Sequence, residues 1–263
     1  SAHTKKVVDA SGLIVSPGLI DMHTHNFYGT LHNRYLANSF QAVPPDGFTF
    51  RSGVTTVVDA GSPGWKNFDL YKSQIIEPSK TRVLTFLNII GEGMSGGARE
   101  QNIEDMNPKT TAIVAKQNKD HVVGVKLAHF MGYNWTPTEL AVEAGKLASM
   151  PVMIDFGGSN PELPLDMLLL EKLRPGDIFT HAYANVNGRT AIVAENGKVR
   201  DYVFKAQKRG IVFHSTVHIY ESRGNNESRG IDNFFGLSFW NILFYISNFT
   251  PFYGKVHYLI NTV

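Results

Sequence analysis

The residues best suited to chemistry are two histidines, His23 and His25, closing the stretch Gly18-Leu19-Ile20-Asp21-Met22-His23-Thr24-His25. An apolar run leads into them and reads as a short buried strand. Alternate side chains of a strand share a face, so the two imidazoles project together. A pair of neutral imidazoles at a strand tip suits a zinc-type ion, which takes nitrogen at about 2.0–2.1 Å. The same spacing fits two unrelated histidines, so other donors must decide. Strand ends elsewhere offer Lys126, Asp155 and His181. A lysine ending an apolar run is unusual because a buried ammonium is costly without a partner. Lys126 is therefore either paired with a carboxylate or carboxylated by carbon dioxide to a carbamate that can bridge two metal ions. His181 is either a further nitrogen ligand or a hydrogen-bonded loop histidine.

The elements that must hold these groups repeat along the chain. After the histidine strand come the apolar runs 54–58, 82–87, 122–127, 151–154, 178–180 and 211–213, rich in β-branched residues. Near-continuous apolar strands imply burial on both faces, as in a parallel sheet. Helix-like stretches fall between them at 137–148, with Thr136 as cap and Pro137 in the first turn, and at 165–173 and 199–208. Seven such units point to an α/β fold, a (β/α)8 TIM-type barrel that is incomplete as written, with the site at the C-terminal ends of the strands. No glycine-rich phosphate loop follows any strand. Ahead of the barrel, Lys5-Lys6-Val7-Val8 and Leu13-Ile14-Val15 read as two strand pieces around a turn at Asp9-Ala10-Ser11-Gly12.

Composition narrows the classes. A chain of 263 residues can bury one large core, and a net charge of +2 without a basic run argues against nucleic acid. The absence of cysteine excludes disulfides and thiolate metal sites. The opening at Ser1 falls mid-pattern, as if an N-terminal segment were missing, and localisation defaults to cytoplasmic.

These residues resemble the amidohydrolase superfamily, and within it the amidohydrolase/deacetylase branch near dihydroorotases and D-aminoacylases. The resemblance runs over roughly residues 5–213. It is carried by the stretch 17–25, by Gly53-Val54-Thr55-Thr56-Val57-Val58-Asp59-Ala60-Gly61, by Gly124-Val125-Lys126 and by Arg174-Pro175-Gly176-Asp177-Ile178-Phe179-Thr180-His181. It implies that residues 1–17 are the remnant of a small β-domain and 18–213 a metal-dependent hydrolase barrel. It also implies one or two divalent ions, zinc by preference, with His23 and His25 on the more buried ion, carboxylated Lys126 bridging and His181 on the second. The reaction implied is hydrolysis of a non-peptide C–N bond in a small N-acyl or cyclic amide, or an ester, by a metal-activated water.

The chain departs from the pattern in two places. Many relatives carry a histidine where this chain has Asp155, which could itself ligate zinc at about 2.0–2.2 Å or orient a ligand histidine. Relatives also continue past the seventh strand with a Gly-His-Gly segment and an eighth strand ending in a general-base aspartate. Here no Asp or Glu follows Asp232, so the catalytic base is unassigned, and His218 lies near the expected seventh-strand position. Residues 214–263 form an atypical tail, without charge from Asn233 to Gly254. It reads as a buried eighth strand around 243–249 or as an ending foreign to the barrel. Asn241, Ser247, Asn248, Thr250 and Pro251 disfavour a membrane span. The alternative function is a catalytically impaired barrel that still binds metal. Asn88 and Tyr183, with Glu92, Tyr133 and Trp135, lie on loops that could line a substrate pocket. The aromatic tail offers a surface for homo-oligomerisation.

Overall fold

The computed structural model describes residues 7–27, 42–159, 161–182 and 189–214. Seven parallel strands form one sheet in sequential order: β1 (Leu19–Thr24), β2 (Val54–Gly64), β3 (Arg82–Asn88), β4 (Val122–Ala128), β5 (Val152–Asp155), β6 (Ile178–Phe179) and β7 (Val212–Phe213). All seven coincide with the apolar runs in the sequence. For β2 to β6 the reason is the two-sided burial such runs demand. β1 and β7 are only partly covered, with Ile20, Met22 and Val212 exposed, so the buried first strand expected from the sequence is half open to solvent.

One face packs on helices and the other lines the inside of the curl. Outward-facing Val57, Val83 and Leu87 meet Phe68, Tyr71 and Ile75 of a helix that begins as α1 (Phe68–Tyr71) and widens into a π turn (Lys72–Ile76), and also Ala112 and Ala115 of α2 (Pro108–Gln117). Farther along, Val125, Leu127, Val152 and Ile154 pack on α3 (Thr136–Ala148), on α4 (Leu165–Met167) with its π continuation Leu168–Lys172, and on α5 (Asp201–Lys208). The inner face holds a smaller cluster of Val58, Ala60, Phe86, Met153 and Ile178. The period of two then fixes the site: Asp155 follows Met153 by two, and Thr180 follows Ile178 by two. Lys126 shares its face with Gly124, where Phe86 fills the space a Cβ would take.

The sheet curls far enough to bring side chains from β1 against those that follow β6 and β7. Thr180 Oγ1, just past β6, lies 3.3 Å from His23 Nδ1 on β1. Among the described residues no strand sits between β7 and β1. The expected eighth strand, His218 and the tail lie outside the described residues.

Three expectations shift. Val7-Val8 and Leu13-Ile14-Val15 form no strand; their side chains are exposed, Ile14 to 96 %. Only the turn between them is built, through Ser11 N to Asp9 Oδ1 and Leu13 N to Ala10 O, both 2.9 Å. A strand needs a partner for its N–H and C=O groups, and no described segment runs alongside. Thr136 is the first residue inside α3 rather than its cap, which is Trp135 without a side-chain bond. The helix expected at 165–173 completes only one α turn before it widens.

Candidate active site

Four strands bring the predicted donors to one end of the sheet. His23 is on β1 and His25 one residue past it, Lys126 on β4, Asp155 at the end of β5 and His181 two residues after β6. The His23 ring lies 5.5 Å from that of His25 and 5.0 Å from that of His181, centroid to centroid. His181 Nε2 lies 3.2 Å from Asp155 Oδ2.

Burial governs the charge states. It pushes His23 well below the ordinary imidazole range, with Lys126 and the neighbouring histidines adding repulsion. Burial likewise lowers His25 to about 3, Lys126 contributing and Asp155 opposing. Lys126 is 1 % exposed, and burial draws its amine down to about 8 against the pull of Asp155. Among the described residues no carboxylate comes within ion-pairing distance of Lys126; the ion pairs of Asp155 are with Arg189 and His181. Those charges, with Lys126, outweigh burial and hold the Asp155 carboxyl below its ordinary range.

The histidine segment is fastened from behind by Asp59 on β2. Its fully buried carboxylate accepts from Asn26 N and from Ser62 N, both at 2.6 Å. Ser62 Oγ in turn meets His25 Nδ1 at 3.0 Å, leaving Nε2 as the nitrogen open to a ligand. Burial raises Asp59 to about 6 against the pull of these bonds. Lys126 depends on Gly61, which has a φ of +98° and stands where a Cβ would collide with the lysine stem.

Asp155 is held by Arg189, whose Nη2 donates to Oδ1 at 3.0 Å while Nε donates to Gly157 O at 3.2 Å. The guanidinium lies over the Phe179 ring, 4.9 Å from its centroid. His181 and His129 both adopt left-handed backbone, φ 54° and 59°. Such conformations in non-glycine residues cost on the order of 1–3 kcal/mol each and persist where surrounding structure enforces them.

Asn88 is buried with its amide engaged by Gly61 O and Ile90 N, so it anchors the loop after β3. Tyr183 lies outside the described residues. Glu92 pairs with Arg99 at the surface, Tyr133 is exposed, and Trp135 packs on Phe156.

Several groups escaped the sequence reasoning. His214 directly follows β7, level with Thr180 in the register of β6 and β7, and its ring stacks on His23 at 5.5 Å. Thr180 Oγ1 sits between them, 3.1 Å from His214 Nδ1. The signal was present: a histidine directly after the apolar run 211–213. Arg189 and Glu100 had no comparable signal, since neither ends an apolar run; His129 had one, standing directly after β4.

The donors suit a divalent ion by chemistry: uncharged imidazoles, a carboxylate and an amine poised to lose its proton. Among the described residues no three His, Cys, Asp or Glu side chains close round a single point as a metal cage.

Comparison with known proteins gives a consistent picture. No family model matches the chain. A deacetylase from Agrobacterium fabrum is 32 % identical over 196 residues, covering 72 % of this chain and 46 % of the relative. The chain spans about half the length of the curated relatives it matches. Among solved structures, an adenine deaminase superposes with a TM-score of 0.62 at 26 % identity, over 75 % of this chain and 52 % of the other. A dihydroorotase superposes with a TM-score of 0.61 at 29 % identity, over 75 % and 51 %.

Proposed function

From the premise that this chain belongs to the amidohydrolase superfamily, we propose that it hydrolyses a non-peptide C–N bond in a small amide, or the equivalent ester. The observation that supports this is the gathering of His23, His25, Lys126, Asp155 and His181 from four strands at one end of the sheet. A deacetylase among the relatives makes an N-acyl substrate the first class to test.

His23, His25 and His181 would hold one or two divalent ions, zinc by preference. A bound ion supplies a water acidified to near neutrality and polarises the scissile carbonyl. The chain's own residues do the rest. Burial keeps His23 and His25 unprotonated, so their nitrogens are free to donate. Ser62 and Thr180 fix the two rings by their Nδ1 atoms. Lys126, drawn down to about 8, has an appreciable neutral fraction near neutral pH, and only a neutral amine attacks carbon dioxide. The new N–C bond forms as one proton leaves, and the product is an anionic carbamate. That change turns the buried cation into an oxygen ligand and removes the repulsion between it and the ring cluster. Asp155, anchored by Arg189, orients His181. No described residue stands where relatives place the eighth-strand aspartate.

The test is metal content. Protein purified with zinc should hold near-stoichiometric metal by mass spectrometry, and His23→Ala should lose most of it. N-acetyl amino acids should be hydrolysed, with activity abolished by chelator and restored by zinc. Equal metal in both proteins would sink the assignment.

A further inference from the structure

We propose that His23, Thr180 and His214 form a proton-ordered chain, in which the threonine hydroxyl accepts from His23 Nδ1–H and donates to His214 Nδ1. Thr180 and His214 are then positioning residues that present the bare Nε2 of His23 to an ion. This rests on the metal-hydrolase reading and adds His214 to its machinery.

Sheet backbone sets the geometry on both sides of the hydroxyl. Phe179 pairs with Phe213 in the register of β6 and β7, so Thr180 and His214 stand level. His214 N donates to Phe179 O at 2.9 Å, and its carbonyl accepts from Ala182 N at 3.1 Å. Thr180 N donates to Ile154 O at 3.1 Å. Across the curl, His23 Nδ1 lies 3.3 Å and His214 Nδ1 3.1 Å from Thr180 Oγ1. The two rings are stacked, 16° from parallel.

Proton counting orders the chain. Thr180 is fully buried, and among the described residues its hydroxyl meets only these two nitrogens. A hydroxyl has one proton to give, and a neutral imidazole has one N–H and one bare nitrogen. With both histidines protonated on Nδ1, the hydroxyl proton is buried without an acceptor. With neither, one bare nitrogen lacks a donor. A buried group left unsatisfied costs more than a satisfied one gains, so the two histidines take opposite tautomers. An ion on His23 Nε2 needs that nitrogen bare, which puts the His23 proton on Nδ1 and sends the hydroxyl proton to His214. His25 is held by the same device. Its Nδ1 meets Ser62 Oγ at 3.0 Å, and the Ser62 hydroxyl bonds on to the buried Asp59 carboxylate. In each case a second acceptor takes the hydroxyl proton, leaving the oxygen to accept from the ring. For His25 that acceptor is a carboxylate; for His23 it is His214.

The test reads zinc affinity and ring tautomer in the full chain. Thr180→Val removes the hydroxyl at constant shape, and His214→Phe keeps a ring without an acceptor. Each should weaken zinc binding about tenfold in competition with a chelating dye, as loss of a partner behind a ligand histidine does. Thr180→Ser keeps the hydroxyl and His214→Asn offers an amide oxygen where Nδ1 stood, so both should bind zinc nearly as wild type does. Long-range proton–nitrogen NMR spectra of zinc-loaded wild type should show His214 protonated on Nε2 and bare on Nδ1, its signals assigned by their loss in His214→Phe. Three results would each make the cluster a mere clasp across the curl and overturn the proposal: unchanged affinity in Thr180→Val and His214→Phe, a loss that Thr180→Ser and His214→Asn share, or a His214 proton on Nδ1. If wild type binds no zinc, the metal reading fails by itself, and spectra of the metal-free protein decide the chain. Opposite tautomers at His23 and His214, lost in Thr180→Val, uphold it; matching tautomers overturn it.

Discussion

Replacing Lys126 by methionine should stabilise the metal-free protein while removing metal binding. The side chain is buried to 1 % exposure, on the inner face of β4 with no described carboxylate in pairing range. Its amine is drawn from an ordinary 10.5 to about 8 by burial. At about 1.4 kcal/mol per pKa unit, the charged form costs on the order of 3 kcal/mol below pH 8. Methionine has similar length, keeps the packing against Gly61 and Asn88, and carries no charge to desolvate. The sign follows from proton counts. Between pH 8 and 10.5 the unfolded chain binds more protons than the folded one, so wild-type stability rises with pH in that window. Lys126→Met lacks that rise. The assay is denaturant unfolding of both proteins in chelated, bicarbonate-free buffer at pH 7 and pH 10. The variant should gain about 2–3 kcal/mol at pH 7, and the gain should shrink at pH 10. Equal or lower stability of the variant at pH 7, or a pH-independent difference, would refute the reasoning. Lys126 would then be a structural residue.

Other perturbations separate the scaffold from the site. Asp177 is fully buried, accepts from Val152 N at 2.9 Å and is gripped twice by Arg174, at 3.0 and 2.7 Å. Asp177→Asn should cost about 3–5 kcal/mol by thermal melt, since breaking a buried pair strands the other charge, yet leave metal stoichiometry intact at low temperature. Asp59→Asn turns an acceptor toward two N–H groups into a donor on one side. It should cost about 1–3 kcal/mol and also weaken zinc binding by freeing Ser62 from His25, read by competition with a chelating dye. Gly61→Ala forces a Cβ onto the Lys126 stem at a φ of +98°. About 2–5 kcal/mol should be lost from clash and strain together, and a melting temperature equal to wild type would contradict the packing described.

All seven strands stand where the sequence has apolar runs; for β2 to β6 two-sided burial writes those runs, while β1 and β7 keep strand composition with only part of their surface covered. The donors on those strands were legible for the same reason: a polar residue ending an apolar run is conspicuous, as with Lys126, Asp155 and His181. His214 obeys this rule as well, standing directly after β7. The supporting contacts were illegible. Asp59 ends the apolar run 54–58 and so carried the same signal, but its bonds to Asn26 and Ser62 behind His25 depend on the pairing of β1 with β2, which the sequence does not encode. Arg189 reaches Asp155 across 34 residues, and Glu100 reaches His129 across 29, from loops whose course no periodicity encodes. The N-terminal pieces failed for the converse reason. Val7-Val8 and Leu13-Ile14-Val15 have strand composition, but a strand is a relation between two segments, and the sequence names only one.

The arrangement of costs also argues for a site rather than a core. Three described non-glycine residues have left-handed backbone: Ser149 closes helix α3, and the other two are His129 and His181. At the same end lie the buried lysine, with no carboxylate in pairing range among the described residues, and the imidazoles held unprotonated by burial. A core selected for stability alone would replace such groups by apolar residues at a gain of several kcal/mol. Their concentration at the C-terminal end of a parallel sheet, the end where barrel enzymes act, is what a retained ligand-binding centre requires. If the function were only structural, the destabilising groups should be replaceable together. A variant carrying Lys126→Met, His23→Leu and His25→Leu would then melt higher and lose nothing measurable. On the reading advanced here it melts higher and binds no zinc.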